Sequence, residues 1–228
     1  MITDRNRVLN EICIQDAIIT FTDIEYERIK GRIDPFVEAM KNKDQSPEHY
    51  VNERGAPSYK VIKDIVNGKW GEFFALKFFV IMLKFPMCNV DLEIRSGAGK
   101  GWSPDLPFSI VDKSLPNIHV KTCDEDLCKY VGDYSWTFQK KNRNGIGGQD
   151  VLYTNTNSMD IVACVCIQSF KQAVVKITAP WKTINEGKFL RNPKSDCYKG
   201  YKECLYYKDF VVFTILSEKI RRADELRK

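Results

Sequence analysis

Asp105, followed after thirteen intervening residues by His119 and then, two further on, by Lys121, is a set of residue types suited to chemistry on a phosphodiester. Hydrolysing that ester needs a water deprotonated near neutral pH and a counter to the charge that builds on the phosphate. One or two divalent metals do both when carboxylate oxygens hold them, because such oxygens suit hard cations. A lysine beside the metal adds compact positive charge against the scissile phosphate and orients the water. His119 and Lys121 share a face of any strand that contains both, and Asp105 opens the neighbouring apolar run, so the three can converge. The plainer alternative makes Asp105 a turn cap and Lys121 the polar side of an edge strand.

The elements that must position these residues follow from hydrophobic period. Residues 1–60 read as a helical N-terminal region: Val8, Ile12 and Ile19 recur at spacings of four and seven, and Ile33, Phe36, Val37 and Met40 at three and four. The breaker-rich stretch KNKDQSPEHYVNERGAPSYK reads as a loop. Val61 to Phe85, with Trp70, Phe73, Phe74, Lys77 and Phe78 at helical spacing, reads as a buried central helix. From Val90 the period shortens. Val90 to Ile94 alternates apolar with acidic, SGAGKGWSPD reads as a glycine-rich turn, and Leu106–Val111 and Ile118–Thr122 read as two strands joined by the hairpin loop DKSLPN. Tyr134 to Lys141 fits either period, and NRNGIGGQ beyond it is basic and glycine-rich. Met159 to Ile167 is a near-continuous apolar run, the pattern of a strand covered on both faces. Gln172–Ala179 adds a strand, and Val211–Lys228 closes as an amphipathic helix. This order predicts an α/β fold with a mixed central sheet flanked by helices. The chain divides as one domain over 1–228: the helical region 1–60, a core over 65–180 and a basic C-terminal region over 181–228.

With 228 residues, 43% hydrophobic and 29% charged, the chain is long enough for one sizeable core. No apolar run approaches the roughly 20 residues of a membrane span, and MITDRNRVLNE lacks the apolar centre of a secretory signal. An intracellular address, cytoplasmic or nucleoid-associated, is expected, with no membrane partner. The eight cysteines are then expected to be reduced. Cys164 and Cys166 should point into one packed layer, and none of the cysteine spacings forms the CxxC pairs of a structural zinc; only a loose set of Cys123, Cys128, Cys197 and Cys204 is left for one. Charge is uneven: residues 1–50 carry 7 Lys/Arg against 10 Asp/Glu, and residues 181–228 carry 12 against 7. A basic C-terminal half suits a phosphate backbone, and equally suits a solvated surface.

Pro104-Asp105, thirteen residues and then His119-Val120-Lys121 resembles the PD-(D/E)XK nuclease superfamily, over about residues 65–170. The resemblance implies a restriction-endonuclease-like core in which Asp105 binds the metal and Lys121 assists catalysis. It also implies a metal ligand at Glu72, in the helical GKWGEFFALKFF, and a polar catalytic-site residue at Gln139, in SWTFQ. His119 stands where the family carries a carboxylate. An imidazole is a softer ligand without negative charge, so it can ligate the metal, hydrogen-bond a water beside it, or mark a lost site. A second set of Asp91, Glu93 and Arg95 has the charges but no lysine.

The function implied is Mg2+-dependent endonuclease cleavage of double-stranded DNA, in the manner of a site-specific restriction enzyme, with Mn2+ as a substitute. Lys140, Lys141 and Arg143 form a basic loop suited to the DNA backbone, and Lys182, Lys188 and Arg191 extend it. Cutting two strands with one site per chain implies a homodimer. The competing reading is a non-catalytic DNA-binding or assembly protein on the same fold.

Overall fold

Apolar side chains at two periods sort the chain into sheets and the helices that cover them. The structure, a computed structural model, describes residues 5–41, 59–92, 104–126, 128, 132–141, 150–153, 159–194, 196 and 199–225. In chain order, α1 (Arg5–Asn10), β1 (Cys13–Thr20) and α2 (Asp23–Lys41) precede the long α3 (Tyr59–Leu83). The one-turn α4 (Phe108–Val111), β2 (Ile118–Asp124) and β3 (Ser135–Gln139) follow. Then come β4 (Ile161–Ser169), β5 (Gln172–Pro180), α5 (Trp181–Glu186), β6 (Leu190–Arg191), β7 (Lys202–Tyr206) and α6 (Tyr207–Glu225). Most of the breaker-rich loop, the glycine-rich turn and NRNGIGGQ lie outside the described residues.

The fold is mixed α/β. One sheet runs β1-β5-β4-β2, antiparallel except for the parallel pair β4/β2, and a second, antiparallel sheet runs β3-β7-β6. The side chains of β4 alternate between two cores. Ile161, Ala163, Val165 and Ile167 face α3 with its Phe74, Phe78 and Phe79, while Val162, Cys164 and Cys166 face Trp136, Phe138 and Leu205 of the second sheet. Each large side chain so buried contributes about 1.5–3 kcal/mol. Cys164 and Cys166 do share one layer. At the irregularity between Cys164 and Val165 the β4/β5 ladder slips, and the Trp136 indole N–H bonds the Val165 carbonyl at 3.1 Å, tying the two sheets together.

Three local expectations are corrected. Cys13–Thr20 is a strand, not helix: Cys13, Gln15, Ala17 and Ile19 point inward at period two, and Gln15 disguises the alternation because its amide is buried against the Thr178 hydroxyl at 2.9 Å. Helix resumes at α2, where Thr22 and Glu25 cap each other, the Thr22 N–H donating to Glu25 Oε2 at 2.8 Å and the Glu25 N–H to Thr22 Oγ1 at 3.2 Å. Val90–Leu92 is irregular rather than a strand. Leu106–Val111 is no strand either: Leu106 makes one antiparallel bridge to Ile118, and after Pro107, which has no N–H to give a ladder, the chain turns into α4.

Gly71 is required where α3 meets β2. A Cβ there would lie 1.9 Å from Thr122 Cγ2, so only glycine lets the helix seat this closely and carry Glu72 against the strand.

Candidate active site

β2 is an edge strand of the larger sheet, and Asp105 sits on its free edge. The Leu106–Ile118 bridge, with reciprocal bonds of 3.0 Å, brings Asp105 alongside, and Asp105 Oδ2 accepts the Val120 N–H at 2.6 Å. The two faces of β2 then flank this carboxylate. On one, Val120 and Thr122 pack beneath α3; on the other, Lys121 points toward β3.

On the α3 side, Glu72 is buried, and Lys69, one turn earlier, donates to both of its carboxylate oxygens at 2.9 and 3.0 Å. Burial first, then the charge of Asp105 and more weakly that of Asp91, push the Glu72 carboxyl well above the usual range, against the pull of Lys69. The Lys69 ammonium keeps its charge despite burial because Glu72, Asp105 and Asp91 surround it, and its pKa is raised. Three carboxylates thus share one ammonium.

On the other side, the Lys121 ammonium bonds Asp150 Oδ2 and lies 5.2 Å above the Phe138 ring. Burial works against its charge, but Asp150 and then Asp105 outweigh that and raise its pKa. Asp150 is held in turn: its N–H donates to the Gln139 carbonyl at 2.7 Å, and its Oδ1 accepts the Leu152 N–H at 3.3 Å. Asp105 is therefore the shared neighbour, its charge felt by Glu72 and by Lys121.

Asp105 acts electrostatically on Glu72 and on Lys121, which lie on opposite faces of β2, and Gln139 at the end of β3 grips Asp150 through its backbone. His119 is engaged elsewhere. Its ring is buried, with Nε2 3.1 Å from Asp160 Oδ2, and Asp160 also receives the Asn117 amide at 3.5 Å. Of the basic residues, Lys140 is paired with Glu203 at 2.9 Å, Lys182 with Glu186 at 3.9 Å and Arg191 with Asp209 at 3.4 Å. Lys141 and Lys188 are exposed, and Arg143 lies outside the described residues, as do Glu93 and Arg95 of the second set.

Lys69, Asp150 and Asp160 escaped the sequence reading. Lys69 was within reach, since three residues on a helix place it beside Glu72. Asp150 and Asp160 meet their partners across 29 and 41 residues, a separation no local pattern reports.

The donor chemistry fits a hard divalent cation: Glu72, Asp91 and Asp105 offer carboxylate oxygens, and their mutual repulsion is what such a cation relieves. Among the described residues no three carboxylate oxygens lie within 4.8 Å of one another, so the seat is not preassembled. No known family model matches this chain, and neither a curated protein nor a solved structure does.

Proposed function

We propose that the chain is a metal-dependent endonuclease with a restriction-endonuclease-like core, hydrolysing phosphodiester bonds of double-stranded DNA at the edge of β2. The observation that carries this reading is the position of Asp105. It is a carboxylate on a sheet edge whose charge acts on a helix glutamate and on a strand lysine two positions past His119, the residue set that the resemblance names.

In this reading Asp105 and Glu72 would hold Mg2+, with Asp91 adding negative charge, and Glu72 would be free to do so on release of its bonds from Lys69. The cation supplies Lewis acidity and a water of lowered pKa. Lys121, charged and half-shielded, stabilises the phosphate as negative charge grows on it. Asp150 and Phe138 hold that ammonium in place, and Asp150 is in turn fixed by Gln139. Because His119 is paired with Asp160, the negative charge missing from its motif position is supplied from α3. The exposed Val212, Phe213, Ile215 and Leu216 of α6 offer an apolar face for a two-fold partner.

The test is incubation of supercoiled plasmid with the purified chain in Mg2+, Mn2+ or EDTA. Nicked or linear product with either metal and none with EDTA is expected. The second reading, a non-catalytic DNA-binding protein, is favoured by the spent His119 and predicts retarded but intact plasmid in every lane.

A further inference from the structure

Beyond Lys121, β2 carries a second group of metal-ligating side chains that the proposed chemistry does not use. Cys123, Cys128 and Cys166 are buried, and their sulfurs lie within 4.8 Å of one another, the only such group of three metal-ligating atoms among the described residues. Cys123 and Cys166 are register partners across the parallel pair β2/β4. Cys128, five residues past Cys123, places its Sγ 3.4 Å from that of Cys123. Cys204, read from sequence as part of a loose zinc set, pairs with Thr137 and Arg191 in the other sheet and is not in the group, and Cys197 lies outside the described residues.

We propose that Cys123, Cys128 and Cys166 form a thiolate site for a soft cation of the Zn2+ type, which clamps the end of β2 to β4. Sulfur ligands select such metals over Mg2+, so this site and the carboxylates of the β2 edge take different ions. Three sulfurs fill three of the four positions of a tetrahedral zinc. Binding through three thiolates expels the remaining thiol protons and leaves a metal–trithiolate of net charge −1. Lys176, which pairs with Asp16 at 2.8 Å and lies 4.4 Å from the Tyr134 ring centroid, and Asp124, next to Cys123 in sequence, are charges near the group.

The experiment uses the full chain, purified without oxygen and in reductant, with no DNA present. Zinc content is measured after gel filtration, and Co2+ is titrated into metal-stripped protein as a spectroscopic probe. One ion per chain and a near-ultraviolet sulfur-to-cobalt band are expected. Cys166→Ser should weaken the metal by more than the roughly 10–100-fold of an outer-sphere change, whereas Cys204→Ser, also buried, should leave the band intact. Because a buried Cys→Ser change can also unfold the chain, the wild-type titration stands by itself. A wild-type protein without band or stoichiometric zinc overturns the proposal, and so does a band unaltered in a folded Cys166→Ser.

Discussion

His119 and Lys121 lie on the same face of β2, two residues apart, and each meets an aspartate contributed from far along the chain, yet the two pairs behave differently. The His119 side chain is 5% exposed and the Asp160 side chain 4%, with a backbone bond from the Trp181 N–H to the Asp160 carbonyl at 2.8 Å closing the site behind them. The Lys121 side chain is 21% exposed, rests on an aromatic face, and answers to Asp105 as well as to Asp150. A shared strand face therefore does not make a shared site. One pair is sealed into the sheet junction and the other opens onto its edge, so the motif's lysine reaches the candidate site while its second position serves the core.

That contrast can be broken most decisively at Lys121. Lys121→Ala is expected to slow single-turnover cleavage on the order of a hundredfold or more, as removal of one transition-state donor does. Unchanged turnover would return Lys121 to the role of an edge-strand cation.

His119→Ala tests the sealed half. It leaves the buried Asp160 with the Asn117 amide alone, so a loss of about 1–3 kcal/mol in chemical denaturation is expected, with cleavage by the folded fraction changed far less than by Lys121→Ala. If instead stability holds and Mg2+-dependent cleavage disappears, or His119→Glu restores tight Mg2+ binding, the imidazole acts at the metal.

Glu72 sharpens the electrostatic side. The folded chain keeps the Glu72 proton to higher pH than the unfolded chain does. Stability from this group is thus complete below the ordinary carboxyl value of 4.5 and declines as pH rises through the elevated folded value. Melting of metal-free protein across that range should show the decline, and Glu72→Gln should flatten it and raise Tm at neutral pH by a few degrees, at about 2–4 °C per kcal/mol for a chain of this size. A lower Tm for Glu72→Gln at neutral pH contradicts the repulsion among the three carboxylates. The smallest effect is expected from neutralising Lys140, Lys141 and Arg143: the salt slope of DNA binding should lessen by about one unit for each phosphate these side chains no longer neutralise, with Lys140 contributing least because Glu203 already pairs it.

Much of this arrangement was legible in the sequence. The central helix, the doubly covered β4, the β5 strand and the closing helix follow from apolar period alone, and Asp105 and Lys121 from residue type and spacing. What misled was local compensation. Gln15 is polar yet inward, its amide N–H donating to the Thr178 hydroxyl, so β1 hid behind a helical spacing. Pro107 ended a strand that the apolar residues of 106–111 imitate. What could not be read was partnership at long range: nothing near Lys121 announces Asp150, nothing near His119 announces Asp160, and Cys166 joins Cys123 only through the parallel register of β2 and β4.

The most direct measurement compares wild type with Asp105→Asn on one linear duplex, following cleavage in Mg2+ and binding in EDTA side by side. Asparagine matches aspartate in shape and retains an oxygen to accept the Val120 N–H, while removing the charge that Glu72, Lys69 and Lys121 all feel. Abolished cleavage with DNA affinity kept within a few fold is the predicted result. Cleavage at the wild-type rate by Asp105→Asn would contradict a catalytic site at the edge of β2.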